Sequence, residues 1–439
     1  MNPARFDRLF AIPLLAGGLA FGQTASIDFT ALQQEIDGFG AASVGGGLMN
    51  TKELDAAFLN NTQNQIGLSI DRVEVTAWGT ESWEVERKNA QGAKARGAKY
   101  VFASIWSGPA SMKTNNNVAQ GSLKESSYAD YAAYLKSFRE FMGPSLDIIS
   151  IQNEPNVKVD YISCDWTPTQ LYNFTKNHAA AIGGDVMMPE TFNFDVAYSD
   201  PVLNDPVAAK NITHIGVHLY GAQMKTYTNA VNKGKKIWMT EHFYNGDDIG
   251  TVLTGAKEIM DCLNNRMNAY VWWYLRVPSC NLIDSNGVLN RKGYMMGQFA
   301  KYVRPGSYRA TATYSPQAGV TVMAFAGTKN VIIAINQNTS TKSQSFSITK
   351  GTFATPKRYT TSNTKRLADD GTVAVNNGAF TTSLDAQSIT TFVPEGTSGI
   401  TPAAKTPKGV ASSGLQIRAQ GGRLFLADSR GRAILSTDR

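Results

Sequence analysis

Between residues 36 and 274, apolar runs of strand length recur eight times: Ile36 to Ala41, Gly67 to Val75, Lys99 to Ser104, Leu146 to Gln152, Val186 to Pro189, Ile212 to Leu219, Lys236 to Thr240 and Asn268 to Tyr274. Segments of helical period separate them, among them Glu53 to Gln65, Tyr128 to Met142 and Thr251 to Asn265. Short apolar runs bounded by polar residues read as buried strands, and Thr167-Pro168-Thr169-Gln170 reads as a helix start with an N-cap threonine, a proline at the first helical position and a closing glutamine. Another helix begins at Asp200-Pro201. Eight strands with intervening helices over roughly 270 residues predict an α/β fold, a (β/α)₈ TIM barrel spanning 36–304.

Two of the eight runs end on a glutamate. The fourth, Asp147-Ile148-Ile149-Ser150-Ile151-Gln152, passes into Asn153-Glu154-Pro155, and the seventh ends Trp238-Met239-Thr240-Glu241. Pro155 has no N–H for a sheet ladder, so the strand stops before it and leaves Glu154 at the carboxyl-end rim, where barrel enzymes place their chemistry. Paired carboxylates on one rim are what glycosidic cleavage requires, one to protonate the leaving oxygen and one to meet the positive anomeric carbon. Taken singly, Asn-Glu-Pro is most often a surface turn and a strand-end glutamate is most often solvated.

With 439 residues the chain exceeds a usual single domain, and the segment after Arg304-Pro305-Gly306 has a different texture. Thr, Ser, Val, Phe and Tyr predominate, with the apolar run Val331 to Ile335 and the alternation Ser345-Phe346-Ser347-Ile348-Thr349, which predict an antiparallel side β-domain over 305–394. Residues 23–35 are expected to add a strand to it. Residues 395–411 read as a linker and 412–439 as a partial hairpin, which resembles the opening of carboxy-terminal sorting domains of some Gram-negative secretion systems.

Charged residues make up 18% and aromatics 10% of the chain, and the net charge of +7 is spread without a Lys/Arg-rich run. This suits a carbohydrate-facing surface and argues against a nucleic-acid partner. Arg5 and Arg8 precede the apolar run Leu9 to Phe21, and Ala20-Phe21-Gly22 offers a small-residue cleavage site, so residues 1–22 read as a signal peptide of a secreted protein. The run is too short to span a bilayer. No cofactor, metal or membrane partner is expected, and the chain is expected to act as a monomer on a polysaccharide.

Ile151-Gln152-Asn153-Glu154-Pro155, His218-Leu219-Tyr220-Gly221, Trp238-Met239-Thr240-Glu241, Tyr270-Val271-Trp272-Trp273-Tyr274, Arg291-Lys292-Gly293-Tyr294 and Tyr302-Val303-Arg304-Pro305-Gly306 follow one another in an order and spacing that resembles glycoside hydrolase family 30, in its bacterial glucuronoxylanase branch, subfamily 8. The likeness runs from about Ile36 to Val393. It implies a retaining endo-β-1,4-xylanase with Glu154 as general acid/base and Glu241 as nucleophile. It further implies Asn153 on the sugar 2-hydroxyl, Tyr220 and Arg72 beside the nucleophile and Trp273 as sugar platform, with Trp106 and Tyr244 as further substrate contacts. Trp166 is another platform candidate on a loop.

The chain departs from the family where a branch acid is recognised. After Trp-Trp-Tyr the family reads Ile-Arg-Arg, a small residue and Tyr, the second arginine and the tyrosine holding a methylglucuronic acid carboxylate. Here the text is Leu275-Arg276-Val277-Pro278-Ser279, and Ala42-Ser43-Val44-Gly45-Gly46-Gly47 stands where aromatics are expected after the first strand. Loss of that charge-assisted pairing predicts cutting without strict need of the branch, unless Arg276 reaches it. The alternatives are a strict glucuronoxylanase, a related β-1,6-glucanase or glucosylceramide-cleaving enzyme, and a binding protein without turnover.

His214 and His218, four apart on one strand face, read as hydrogen-bonded core residues rather than metal ligands. Gly38-Phe39-Gly40 lacks the third glycine of a dinucleotide loop. Of three cysteines, Cys164 and Cys280 follow the fourth and eighth strands and are candidates for a bridge, with Cys262 buried in a helix.

Overall fold

The computed structural model describes residues 24–396 and, beyond them, three strands at Gln416–Gln420, Arg423–Ala427 and Ala433–Ser436. The expected signal peptide, residues 1–22, and residues 397–411 of the expected linker lie outside the described residues.

The chain enters on β1 (Ala25–Ile36) and, after Asp37 alone, continues into β2 (Gly38–Ala42). Seven parallel strands follow: β3 (Ile70–Glu74), β4 (Tyr100–Ser104), β5 (Ile148–Ser150), β6 (Asp185–Thr191), β7 (His214–His218), β8 (Lys236–Glu241) and β9 (Ala269–Trp272). β2 pairs with both β3 and β9, so the eight strands β2 to β9 close into the expected barrel. Outside it lie α1 (Thr51–Phe58), α2 (Thr80–Lys94), α3 (Tyr128–Met142), α4 (Pro168–Asn177), the short α5 (Asp200–Asn204), α6 (Pro206–Lys210) and α7 (Thr228–Asn232), then α8 (Ile249–Asn264) and α9 (Arg291–Ala300).

The barrel interior is filled by Ile70, Phe102, Ile148, Met187, Trp238 and Val271, all fully buried. Trp238 takes edge contacts from Phe102 and His214, and its indole N–H donates to Asp37. His214 is therefore a core histidine at the closed end of the barrel; burial pushes its ring down to about 3, which keeps it neutral. Gly38 has φ +137°, and a Cβ there would fall 2.0 Å from Ser69 Oγ, so this glycine serves the close approach of β2 to β3.

Local signals decide several boundaries. α4 starts on the expected capping box, with Thr167 accepting from the Gln170 N–H and Gln170 reaching back. α1 ends at Phe58 instead of running to Gln65, because the polar side chains after it bond elsewhere: Asn60 accepts from Lys301 Nζ, and Gln65 accepts from the N–H groups of Asn61 and Thr62. β5 has three residues where seven were expected.

After α9 the chain builds β10 (Ser307–Ala312), β11 (Val320–Ala326), β12 (Val331–Asn336), β13 (Lys342–Lys350), β14 (Pro356–Thr361), β15 (Ala368–Thr372), β16 (Ala379–Leu384) and β17 (Ser388–Pro394). With β1 they form one nine-stranded sheet in the order β15-β14-β17-β12-β11-β10-β1-β13-β16, in which β1 is antiparallel to β10 and parallel to β13. The unbroken apolar run of β12 reflects burial on both faces. Val331, Ile333 and Ile335 join the core shared with the barrel helices, and Ile332 and Ala334 join a second core with Phe29, Phe346 and Phe392.

The expected Cys164–Cys280 bridge is not formed; Cys164, Cys262 and Cys280 are separate buried thiols. The two loops pack in different neighbourhoods. Cys164 lies beside Lys113 and Tyr131, whereas the Cys280 carbonyl accepts from the Trp272 indole on the β9 side. The carboxy-terminal strands form a separate unit, a three-stranded antiparallel sheet where a hairpin was expected. Among the described residues, no helix is long and apolar enough to cross a membrane.

Candidate active site

At the carboxyl ends of the barrel strands lies a cavity of about 640 Å³, lined by Val44, Gly45, Glu74, Trp106, Glu154, Tyr161, Ile162, Phe192, Tyr220, Glu241, Phe243, Trp273 and Tyr274. Both predicted glutamates face it, Glu154 at 8% and Glu241 at 6% exposure.

Glu154 is carried by a short irregular stretch rather than by the strand. β5 ends at Ser150, and the next residues are fixed by buried contacts: Asn153 N–H donates to Ile105 O at 2.8 Å and Glu154 N–H to Glu190 O at 3.0 Å. Gln152 clamps the stretch, its amide donating to the carbonyls of Trp106 and Asn153 while its oxygen accepts from the Trp166 indole. Glu154 itself has φ +46°, a conformation costly for a non-glycine residue and found where surrounding structure over-determines it.

Glu241 closes β8 and is held from two sides. Tyr220 donates its hydroxyl to Oε1 at 3.0 Å, and the fully buried Arg72 donates to Oε2. Arg72 also donates to Asn153 Oδ1 at 2.7 Å, to Ser104 Oγ and to Glu190 Oε1 at 3.4 Å, so one guanidinium ties β3, β4, β6 and β8 to the Asn153–Glu154 stretch. His218, fully buried at the end of β7, sets Nδ1 2.9 Å from Glu154 Oε1.

These contacts set the charges. Burial favours the neutral form of Glu154 and, reinforced by the Glu241 carboxylate, raises its carboxyl although His218 and Arg72 pull the other way. Burial also opposes charge on Glu190, but Arg72 and His218 overcome it and hold that carboxyl down to about 2. Burial likewise disfavours the imidazolium of His218, and the three glutamates override it, carrying the ring up to about 9. The buried network thus places two cations, Arg72 and His218, among three carboxyl groups. Charge balance is reached when one proton resides on a carboxyl, and Glu154 is the one whose surroundings favour it.

A Glu154 oxygen, a Glu241 oxygen and a His218 ring nitrogen lie within 4.8 Å of one another, a set that has the residue types to ligate a metal. The electrostatics disfavour that use. Arg72 already occupies one side of Glu241, and a divalent ion would have to displace the His218 proton that the carboxylates hold.

The sequence-predicted contacts divide. Trp106 and Trp273 line the cavity with rings 5.7 Å apart, and the Arg72 guanidinium lies 4.9 Å from the Trp106 ring centroid. Trp272, one residue earlier, is fully buried. Trp166 is not a platform: it is 3% exposed and stacks on Tyr128. Tyr244 does not line the cavity either. Past Glu241 the chain presents Phe243 inward, and Tyr244 turns with His242 to Glu258, into an adjacent cavity of about 400 Å³.

Sequence reasoning missed Glu190, Ser104 and the position of His218 beside Glu154. Glu190 carried the same strand-end signal as the other two glutamates, one residue beyond the predicted fifth strand, but Met188-Pro189-Glu190 had no partner in sequence to give it a role. Arg276 is placed away from the cavity. Its side chain is 7% exposed, its Nη1 lies 3.0 Å from Glu53 Oε2, and it donates to the carbonyls of Gly47 and Leu48 beneath the Gly45–Gly47 loop.

No family model matches the chain. It is 35% identical over 389 residues to glucuronoxylanase XynC of Bacillus subtilis, covering 84% of this chain and 91% of that protein. Among solved structures it is similar to the glycoside hydrolase family 30 subfamily 8 xylanase Xyn30A of Clostridium acetobutylicum, with a TM-score of 0.81 and 41% identity over 84% of this chain and 99% of that one. It is also similar to a family 30 endoxylanase of Clostridium papyrosolvens, with a TM-score of 0.79 and 37% identity over the same shares. Barrel, side sheet and sequence agree, and the chain belongs to glycoside hydrolase family 30.

Proposed function

We propose that the protein is a secreted endo-β-1,4-xylanase that cleaves by retention and does not depend strictly on glucuronic acid branches. The observation that carries the reading is the pair of carboxyl groups facing one cavity with oxygens within 4.8 Å, since retaining glycosidases keep their carboxyls about 5 Å apart and inverting ones leave room for a water. In the first step Glu241 attacks the anomeric carbon, the glycosidic bond breaks, and the proton of Glu154 passes to the leaving oxygen. In the second, Glu154 as carboxylate takes a proton from water, the hydroxide oxygen bonds to the anomeric carbon, and Glu241 leaves. Tyr220 and Arg72 each hold one Glu241 oxygen and aim the carboxylate into the cavity.

Branch independence is supported by the loop after β9. Val277 and Ser279 supply no charge, and Arg276 is engaged with Glu53 behind the Gly45–Gly47 loop. The test is mass spectrometry of products from unbranched xylan and from glucuronoxylan. The expected result is cleavage of both, with products of varied branch position. Products that all carry one glucuronate at a fixed position, with unbranched xylan left intact, would support the strict glucuronoxylanase instead. Export rests on residues 1–22, and amino-terminal sequencing of protein from culture medium checks it.

A further inference from the structure

We propose that Glu74 is a specificity-determining substrate contact, hydrogen-bonding a hydroxyl of a neutral sugar unit in the cavity and repelling an acidic one. This rests on the xylanase reading above. Glu74 ends β3 and forms part of the cavity wall with Val44, Gly45, Trp106, Trp273 and Tyr274. Its backbone is anchored, the N–H donating to Glu86 Oε2 at 3.2 Å. Its carboxyl has no hydrogen-bond partner among the described residues. A largely buried carboxyl without a partner is costly, and one that faces a cavity beside two indole rings is satisfied by a ligand hydroxyl.

The charges around it decide which ligand. Arg72, on the same strand, is committed to Glu241, Asn153 and Glu190. Glu86 of α2 lies behind, with Asp71 beyond it; Tyr134 of α3 is near, and Glu154 and Glu241 face across the cavity. Arg276, the cation nearest in sequence to the β9 side of this wall, points at Glu53. Among the described residues, the wall therefore offers a uronate no free cation. Burial raises the Glu74 carboxyl to about 7, so below that pH it donates and accepts as a neutral group, and above it the wall becomes anionic.

The experiment compares kcat/KM on a linear xylooligosaccharide and on the same oligosaccharide carrying one glucuronate, from pH 5 to 9, for the wild type, Glu74→Gln and Glu74→Ala. The ratio of branched to linear cancels any pH dependence that the two substrates share. It is expected to fall about tenfold with rising pH in the wild type and to stay level in Glu74→Gln. Glu74→Ala is expected to lose about tenfold in kcat/KM on the linear substrate, mainly through KM. A level wild-type ratio, an unchanged slope in Glu74→Gln, or an unaltered KM in Glu74→Ala overturns the proposal. Failure of the xylanase reading is a separate result: the wild type leaves the linear substrate intact at every pH, and the proposal falls with it.

Discussion

At the scale of single residues, the two glutamates are held so differently that their substitutions should be distinguishable. Glu241→Gln is expected to abolish turnover on every substrate, because an amide in place of the proposed nucleophile cannot form the glycosyl-enzyme bond. Glu154→Ala should lose about 10² to 10⁴ in kcat on xylan yet keep near wild-type glycosylation of aryl xylosides with good leaving groups, with azide restoring turnover. Equal loss in both variants on such xylosides, without azide rescue, contradicts the roles. His218 offers a second check. It pulls the Glu154 carboxyl down against burial, so His218→Gln should move the basic limb of the kcat/KM profile to higher pH, and an unmoved limb would show that the ring only packs. Glu241 was legible because a strand that stops leaves its last side chain on the rim, and Glu154 because Pro155 ends the extended stretch that follows β5. His218 and Glu190 were visible as residues but not as partners, since the charge of Glu190 depends on Arg72, 118 positions away along the chain, and that of His218 on glutamates at the ends of other strands.

At the scale of elements, the strand pattern fixed the barrel while the ends of its strands departed from the pattern. β5 was expected to carry Glu154 directly, yet it stops at Ser150 and the glutamate is positioned by Gln152, Trp166 and its own φ, none of which has a periodic signature. Tyr244 shows the same limit. Once β8 ends at Glu241, alternation no longer says which of two neighbouring aromatics faces the cavity. The β9 loop carries a further prediction. Arg276 and Glu53 form a pair with both side chains less than a tenth exposed, so Arg276→Ala should destabilise the fold by about 3 kcal/mol in chemical denaturation by leaving Glu53 unpaired. It should leave the ratio of activity on glucuronoxylan to that on linear xylan unchanged. A selective loss on glucuronoxylan would mean that the arginine reaches the branch.

At the scale of the whole molecule, titration of buried groups should set where the fold is most stable. Glu190, held at about 2, binds fewer protons folded than unfolded, so its contribution is lost as pH falls from about 4.5 through 2. Asp71 and Glu74, raised by burial to about 7, and Glu86, raised to about 8, bind more protons folded, so stability declines as pH rises from the ordinary carboxylate range to those values. His218, raised to about 9, adds a loss in the same direction between about 6.5 and 9. Calorimetry should therefore find the highest Tm on the acid side of neutrality, a decline toward pH 9, and a smaller decline in Glu86→Gln; a Tm that climbs from pH 6 to 9 contradicts this. Packing also decides two truncations. Removing residues after Gly409 should leave activity intact, whereas ending the chain near Gly306 should give no soluble barrel, because Met323, Phe325, Ile333 and Ile389 belong to the core that covers the barrel helices.

The placement of β1 bears on how such a chain reaches its fold during synthesis. Ser26 donates to Thr313, 287 positions later, and only Asp37 separates that strand from the first strand of the barrel. β1 therefore emerges without its neighbours, and Ile27 and Phe29 stay uncovered until β10 and β13 have been translated. At about 5 to 20 residues per second that interval lasts tens of seconds, long enough for a holding chaperone to matter. The first sheet strand of this enzyme thus waits on β10 and β13, and its yield should respond to translation speed and chaperone supply.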